Sequence, residues 1–265
     1  MFRRKGSIEI KSADQLAVMR QAGQVVAEAL SAIEAASTPG VTTRQLDEIA
    51  RDILSTRRAT SSFLGYKAHG VIPYPAVICA SVNDEVVHGI PGDRALQDGD
   101  LLSVDFGAIV DGWNGDAAVT ILVGQVAPEV VALSEATKAA LWAGLAAARP
   151  GGRLTDISHA VETTLDAAGS FGIVAEYGGH GIGSRMHMDP HILNYGSPGR
   201  GPQLVPGMAL AIEPMATLGD PEVGVEADGW TVTTMDGGAA AHWEHTVAIT
   251  ENGPWVLTAL DDVRL

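Results

Sequence analysis

Cysteine is nearly absent from this chain: Cys79 stands alone among 265 residues. That excludes an internal disulfide and any zinc site built on several thiolates. Basic residues are also scarce, 17 Lys and Arg against 32 Asp and Glu, for a formal net charge of −15. Outside Arg3-Arg4-Lys5 and Arg57-Arg58 no cationic cluster could neutralise phosphates, so direct nucleic-acid binding is not expected. The N-terminus MFRRKGSIEIKSAD is basic but lacks the apolar stretch of a signal peptide. No uninterrupted apolar run reaches membrane-spanning length. No membrane association and a cytoplasmic location are therefore the expectations. Neither GxGxxG nor a P-loop occurs, so the glycine-rich EYGGHGIG segment offers no phosphate cradle of those kinds.

What is present is 46% apolar residues, enough for an enzyme-sized core. Ser12 with Gln15, and Thr42 with Gln45, read as capping boxes opening helices through LAVMRQAGQVVAEALSAIEAA and QLDEIARDILSTRR. Strand patterns follow at AVICASV, LLSVDFGAIV and DAAVTILVG, then helices at EVVALSEATKAALWAGLAAA and LTDISHAVETTLDAAG. Strands recur at MALAIEP, GWTVTT and HWEHTVAIT. Pro-Gly pairs at 39–40 and 150–151 separate the helices of each pair. The repeated order predicts a single catalytic domain over 1–265 with pseudo-repeat halves of about 12–124 and 128–250. The halves would place their sheets side by side with the helices behind.

The segment richest in chemistry is LLSVDFGAIVDGWNGDAAVTILVG. An Asp111-Gly112 turn suits a two-residue hairpin and pairs Val110 with Trp113 and Gly107 with Asp116. Leu102, Val104, Phe106 and Ala108 then share one face, which turns Asp105 to the other. Ala117, Val119 and Ile121 leave Asp116 on Asp105's side. The two carboxylates become diagonal neighbours, about 7–8 Å apart at the backbone, and repel unless a proton or cation lies between them. By the same alternation Glu213 in MALAIEP and Glu244 in HWEHTVAIT lie on faces of small or polar residues. His180 sits among Gly178, Gly179, Gly181 and Gly183. Four carboxylates and one imidazole suit Mn, Fe, Co or Zn. Two ions about 3.5–4 Å apart, sharing a hydroxide, would use all five donors.

Taken in order, ICASVNDEVVHGIP, SVDFG, GWNGDAA, GGHGIG, MHMDP, AIEPM, DGWTV and WEHT resemble the type I methionine aminopeptidases of the pita-bread metallopeptidases, from about residue 10 to the C-terminus. The resemblance implies an α+β duplicated pita-bread fold, an antiparallel sheet with two helix pairs on its outer face and a dimetal site on its inner face. It implies two divalent metal ions held by Asp105, Asp116, His180, Glu213 and Glu244. It makes His88 the contact beside the scissile amide, His187 the donor to the developing oxyanion, and Glu213 both ligand and handler of the water proton. It places a methionine pocket at Phe63, Tyr66, Tyr74, Cys79, Met186 and Trp230.

The implied activity is hydrolase removal of the initiator methionine from nascent polypeptide N-termini, by attack of a dimetal-bridging hydroxide and with preference for a small second residue. A monomer is expected, with a ribosome contact made by the basic N-terminus. His69, His159, His191, His242 and His245 are read as ordinary polar or packed histidines. GYKAHGVIPYP is about five residues longer than is usual in bacterial type I enzymes, which bears on the pocket rim and on His69. The rival readings are an X-Pro peptidase of the same fold, a creatinase-like metal-free hydrolase, and an inactive binding relative. The intact donor set disfavours the last two.

Overall fold

Both capping boxes form. In a computed structural model describing residues 8–67 and 72–265, Ser12 Oγ accepts from Gln15 N–H while Gln15 Oε1 accepts from Ser12 N–H, opening α1 at Ala13–Ala36. Thr42 and Gln45 do the same for α2 at Thr43–Arg57. Each box satisfies backbone donors that a helix start leaves without intrahelical partners. Helix α3 (Pro128–Ala147) opens with proline, whose missing N–H costs nothing there, and α4 spans Leu154–Ala168. The basic Arg3-Arg4-Lys5 and His69 lie outside the described residues.

By length and mean apolarity α3 could cross a membrane. Its apolar residues serve the core instead, with Leu133, Leu141 and Leu145 fully buried among residues of α4 and the strands behind it.

Strands Leu101–Val110 and Trp113–Leu122 form the central hairpin, in the register read from sequence: Val110 opposite Trp113 and Gly107 opposite Asp116. Asp111 and Gly112 have φ of +47° and +81°, as a tight turn with two left-handed residues requires. The antiparallel sheet runs Thr60–Ser61, Leu101–Val110, Trp113–Leu122, Glu244–Thr250, Ala209–Ile212, Gly179–Gly181, Met188–Ile192, with Ile78–Val82 also on the hairpin's outer edge. Leu102, Val104, Phe106 and Ala108 pack with apolar residues of α1 and α2. Leu210, Ile212, Val247 and Ile249 pack with α3 and α4. Burying one side chain the size of Phe106 is worth about 1.5–3 kcal/mol, so these two cores fix which face of each strand turns to the helices. The acidic residues are left on the opposite face.

HWEHTVAIT does not run as one strand. Ala240–His242 pairs with Met215–Thr217 in a separate three-stranded sheet, and only Glu244–Thr250 belongs to the large one. MALAIEP divides likewise, its chain passing from Ala209–Ile212 to Met215–Thr217 across Glu213 and Pro214. Pro214 has no N–H to continue the ladder, and its carbonyl accepts from the N–H of Trp243, joining the two breaks. Trp243 turns its indole N–H to Ser134 on α3, with Lys138 Nζ 4.6 Å from its ring centroid. Both chains therefore change sheets at one place, and Glu213, His242 and Glu244 are grouped there.

Candidate metal centre

Asp105 lies opposite Ala118 and Asp116 opposite Gly107, so the two carboxylates are diagonal neighbours. The missing side chain at Gly107 is required: a Cβ would stand 2.8 Å from Phe63 Cε1 and 3.0 Å from Asp116 Oδ1. Asp116 is fixed from the second half of the chain, since the Thr246 hydroxyl accepts from its N–H and donates to its carbonyl. Glu244 begins the adjacent strand opposite Ala118, the residue that also faces Asp105.

His180 arrives on Gly179–Gly181, threaded between Ala209–Ile212 and Met188–Ile192. Its flanking glycines make room for backbone: a Cβ at Gly179 would meet the Ala211 carbonyl oxygen at 2.3 Å, and one at Gly181 the Asp189 carbonyl oxygen at 2.2 Å. His180 Nδ1 lies 3.0 Å from the Gly181 carbonyl oxygen. An N–H donating there leaves the lone pair on Nε2, as a metal-binding imidazole needs. That nitrogen is 3.5 Å from Glu213 Oε1.

Donor atoms of Asp116, His180 and Glu244 all fall within 4.8 Å of one another. Asp105 Oδ1, Asp116 Oδ1 and Glu244 Oε1 are buried and lack any hydrogen-bond partner. Buried carboxylate oxygens without partners are costly, and here several converge with a neutral nitrogen lone pair. Divalent cations fit this donor set of oxygen and one imidazole.

Burial first, and then mutual repulsion, holds Asp105 and Glu244 well above the usual carboxylate range. Burial and the charge of Asp116 do the same to Glu213. Burial pushes Asp116 up to about 7. In the unfolded chain these groups titrate near 3.8 for Asp and 4.5 for Glu. The stability they contribute to the metal-free protein is therefore full below those values and lost as pH rises through the folded ones.

The imidazoles act in the opposite sense. Burial lowers His88 to about 4 and His180 to about 3, from 6.5, so their contribution is lost as pH falls below about 6.5. Above that pH the imidazole contribution is largely complete, and the carboxylates set the sign of the slope. The metal-free protein is expected to melt lower at pH 8 than at pH 6.5. Added divalent metal at 100 times its Kd raises the pH 8 midpoint by about 5–10 °C, from about 2.7 kcal/mol of binding linkage. Calorimetry with no metal-dependent shift at pH 8 contradicts the assignment.

One cavity is lined by all thirteen residues singled out in the sequence: the five donors, His88, His187, and Phe63, Tyr66, Tyr74, Cys79, Met186 and Trp230. The last six also form one packed apolar and aromatic cluster. The Tyr74 ring meets Trp230 edge-on at 5.2 Å, and its hydroxyl is spent on the backbone carbonyls of Ile78 and Gly89. Cys79 is buried, which pushes its thiol up and disfavours the thiolate. His88 sits at φ +63°, a strained conformation for a residue with a side chain, and packs edge-on to Tyr177 at 5.7 Å. His187 stands at the cavity's open rim, its ring 4.3 Å from that of His180.

Two features were missed in the sequence. Tyr66, read as a pocket wall, brings its hydroxyl 2.9 Å from His187 Nδ1. His242, read as ordinary, is 1% exposed beside Glu213. Neither had a local signal, since both contacts join distant segments. Among the other histidines, His245 packs on Trp142 and bonds Thr258, while His191 is exposed.

The fold and this buried donor set define a metal-dependent hydrolase. Residues 17–251 match metallopeptidase family M24. The chain is 57% identical over 254 residues to methionine aminopeptidase 1 of Mycobacterium tuberculosis, covering 94% of each chain. It superposes on the crystal structure of methionine aminopeptidase from Thermotoga maritima with a TM-score of 0.91 at 41% identity, covering 96% of this chain and 100% of that one. A prolidase from Pyrococcus furiosus shares the fold at TM-score 0.75 and 22% identity, with 66% of its length covered. The chain belongs to metallopeptidase family M24 and, within it, to the methionine aminopeptidases of type I. Its architecture is their α+β pita-bread fold.

Proposed function

We propose that this chain removes the initiator methionine from nascent polypeptides, with Asp105, Asp116, His180, Glu213 and Glu244 holding two divalent ions. The observation that carries the reading is the single cavity in which those five donors adjoin an aromatic and thioether-lined pocket. Bound divalent ions supply Lewis acidity toward the scissile carbonyl and a water acidic enough to lose a proton near neutral pH.

The chain's own groups do the rest. Phe63, Tyr74, Met186 and Trp230 accept an unbranched thioether, which gains from sulfur–ring contact. Glu213 takes the proton from the attacking water and returns it to the leaving amine. His187 donates to the oxygen that becomes negative in the tetrahedral state. Tyr66 supports that role: its O–H donating to Nδ1 keeps the ring proton on Nε2. His88, held neutral by burial, contacts the substrate beside the scissile amide. A small second residue is preferred.

The two cores about one large sheet support a single catalytic domain built from two similar halves. The nascent-chain substrate supports a cytoplasmic location, and the reading includes action as a monomer with a ribosome contact through Arg3-Arg4-Lys5. Neither a membrane nor a nucleic acid enters this account as a partner.

Metal-depleted protein supplied in turn with Mn, Fe, Co and Zn is expected to release Met from Met-Ala-Ser and leave Ala-Pro-Ser intact. Cleavage of Ala-Pro-Ser alone would transfer the chain to the X-Pro peptidases. Inactivity on both peptides with every ion would restore the inactive binding relative.

A further inference from the structure

We propose that His242 is a positioning residue that orients the Glu213 carboxylate from behind the metal site; this rests on the reading of Glu213 as a ligand. The imidazole is 1% exposed, and neither ring nitrogen has a hydrogen-bond partner. Buried imidazole nitrogens are ordinarily paired, so an orphaned ring points to a contact that tightens when the site is loaded.

The geometry names that contact. His242 Nε2 stands 3.6 Å from Glu213 Oε2, while Oε1 of the same carboxylate stands 3.5 Å from His180 Nε2. His180 presents a lone pair toward Oε1, a pairing that a proton on the carboxyl satisfies in the metal-free protein and a bound cation replaces. A neutral His242 with its proton on Nε2 presents a donor toward Oε2. Closing that gap by about 0.7 Å makes a charge-assisted hydrogen bond of ordinary length. One carboxylate oxygen is then committed to the imidazole and the other is left for metal.

His242 has little freedom to do anything else. Its N–H lies within hydrogen-bond reach of the Ser103 and Thr120 hydroxyls, and its carbonyl accepts from Thr120 at 2.7 Å. Its strand partner is Met215, two residues beyond Glu213. The Asn194 amide holds the Glu213 carbonyl from the other side. His242 does not line the substrate cavity. It acts through Glu213 alone.

The test is Co²⁺ titration of the metal-free full-length protein by calorimetry, with the visible spectrum of bound Co²⁺ as a second readout. His242→Leu is expected to weaken at least one Co²⁺ by about 10–100-fold and alter the spectrum, the usual cost of losing an outer partner of a ligand. His242→Gln restores a donor at similar reach and recovers most of that affinity; His242→Asn, too short, does not. In a Glu213→Ala background His242→Leu adds nothing further. Wild-type Co²⁺ binding by the Leu variant, equal losses in Gln and Leu variants, or the same loss with Glu213 absent would each overturn the positioning role. If Glu213→Ala itself leaves Co²⁺ binding unchanged, the ligand reading fails first and the positioning role with it. Should the Leu variant not fold, the Gln and Asn pair carries the same comparison.

Discussion

Asp105→Ala and Glu244→Ala each lose bound metal and lower kcat/KM by about 10³-fold, while the metal-free forms melt higher than the metal-free parent. The first effect follows from what the ions contribute: polarising a carbonyl and acidifying water is worth several kcal/mol in the transition state, and each 1.36 kcal/mol is tenfold in rate. The second follows from what the residues cost. Asp105 Oδ1 and Glu244 Oε1 are buried without partners, and repulsion among the four carboxylates adds to the raised pKa of each of these two. Deleting one removes a buried group whose charge only a cation relieves. Metal analysis, steady-state kinetics and calorimetry on the same preparations read metal content, rate and melting point together. A variant that stayed active and kept full metal content would remove its residue from the donor set.

His187→Ala lowers kcat by about 10²–10³-fold with little change in KM, because an oxyanion donor is used in the transition state and not in the ground state. The ring stands at the cavity rim with Tyr66 holding Nδ1, so Tyr66→Phe is expected to move kcat in the same direction by a smaller factor. Burial lowers the His187 pKa, which favours a neutral donor at pH 7. An increase in KM with kcat preserved would make His187 a binding contact instead.

Much of this site was legible because its elements are locally determined. The Asp111-Gly112 turn sets the hairpin register, and the register alone turns Asp105 and Asp116 to one face. Ser12, Gln15, Thr42 and Gln45 mark two helix starts through bonds made within four residues. The exchange of sheets at Glu213-Pro214 and Trp243 was not legible, since apolar alternation runs through both breaks undisturbed. It depends on Trp243 reaching Ser134 and on Pro214 receiving the Trp243 N–H, both long-range contacts. Reading HWEHTVAIT as one strand put His242 on the correct face but hid its burial against Glu213. Tyr66 was legible as an aromatic wall; its bond to a residue 121 positions away was not. The short strands Glu85–Val87, Val223–Val225 and Val263–Arg264 carry too few residues for any period to show.

Anomalous diffraction from crystals of the Co²⁺-loaded protein tests the central claim most directly. Two peaks roughly 3.5–4 Å apart, enclosed by Asp105, Asp116, His180, Glu213 and Glu244, are the predicted result. No peak among those five side chains, or peaks confined to another part of the molecule, would contradict it.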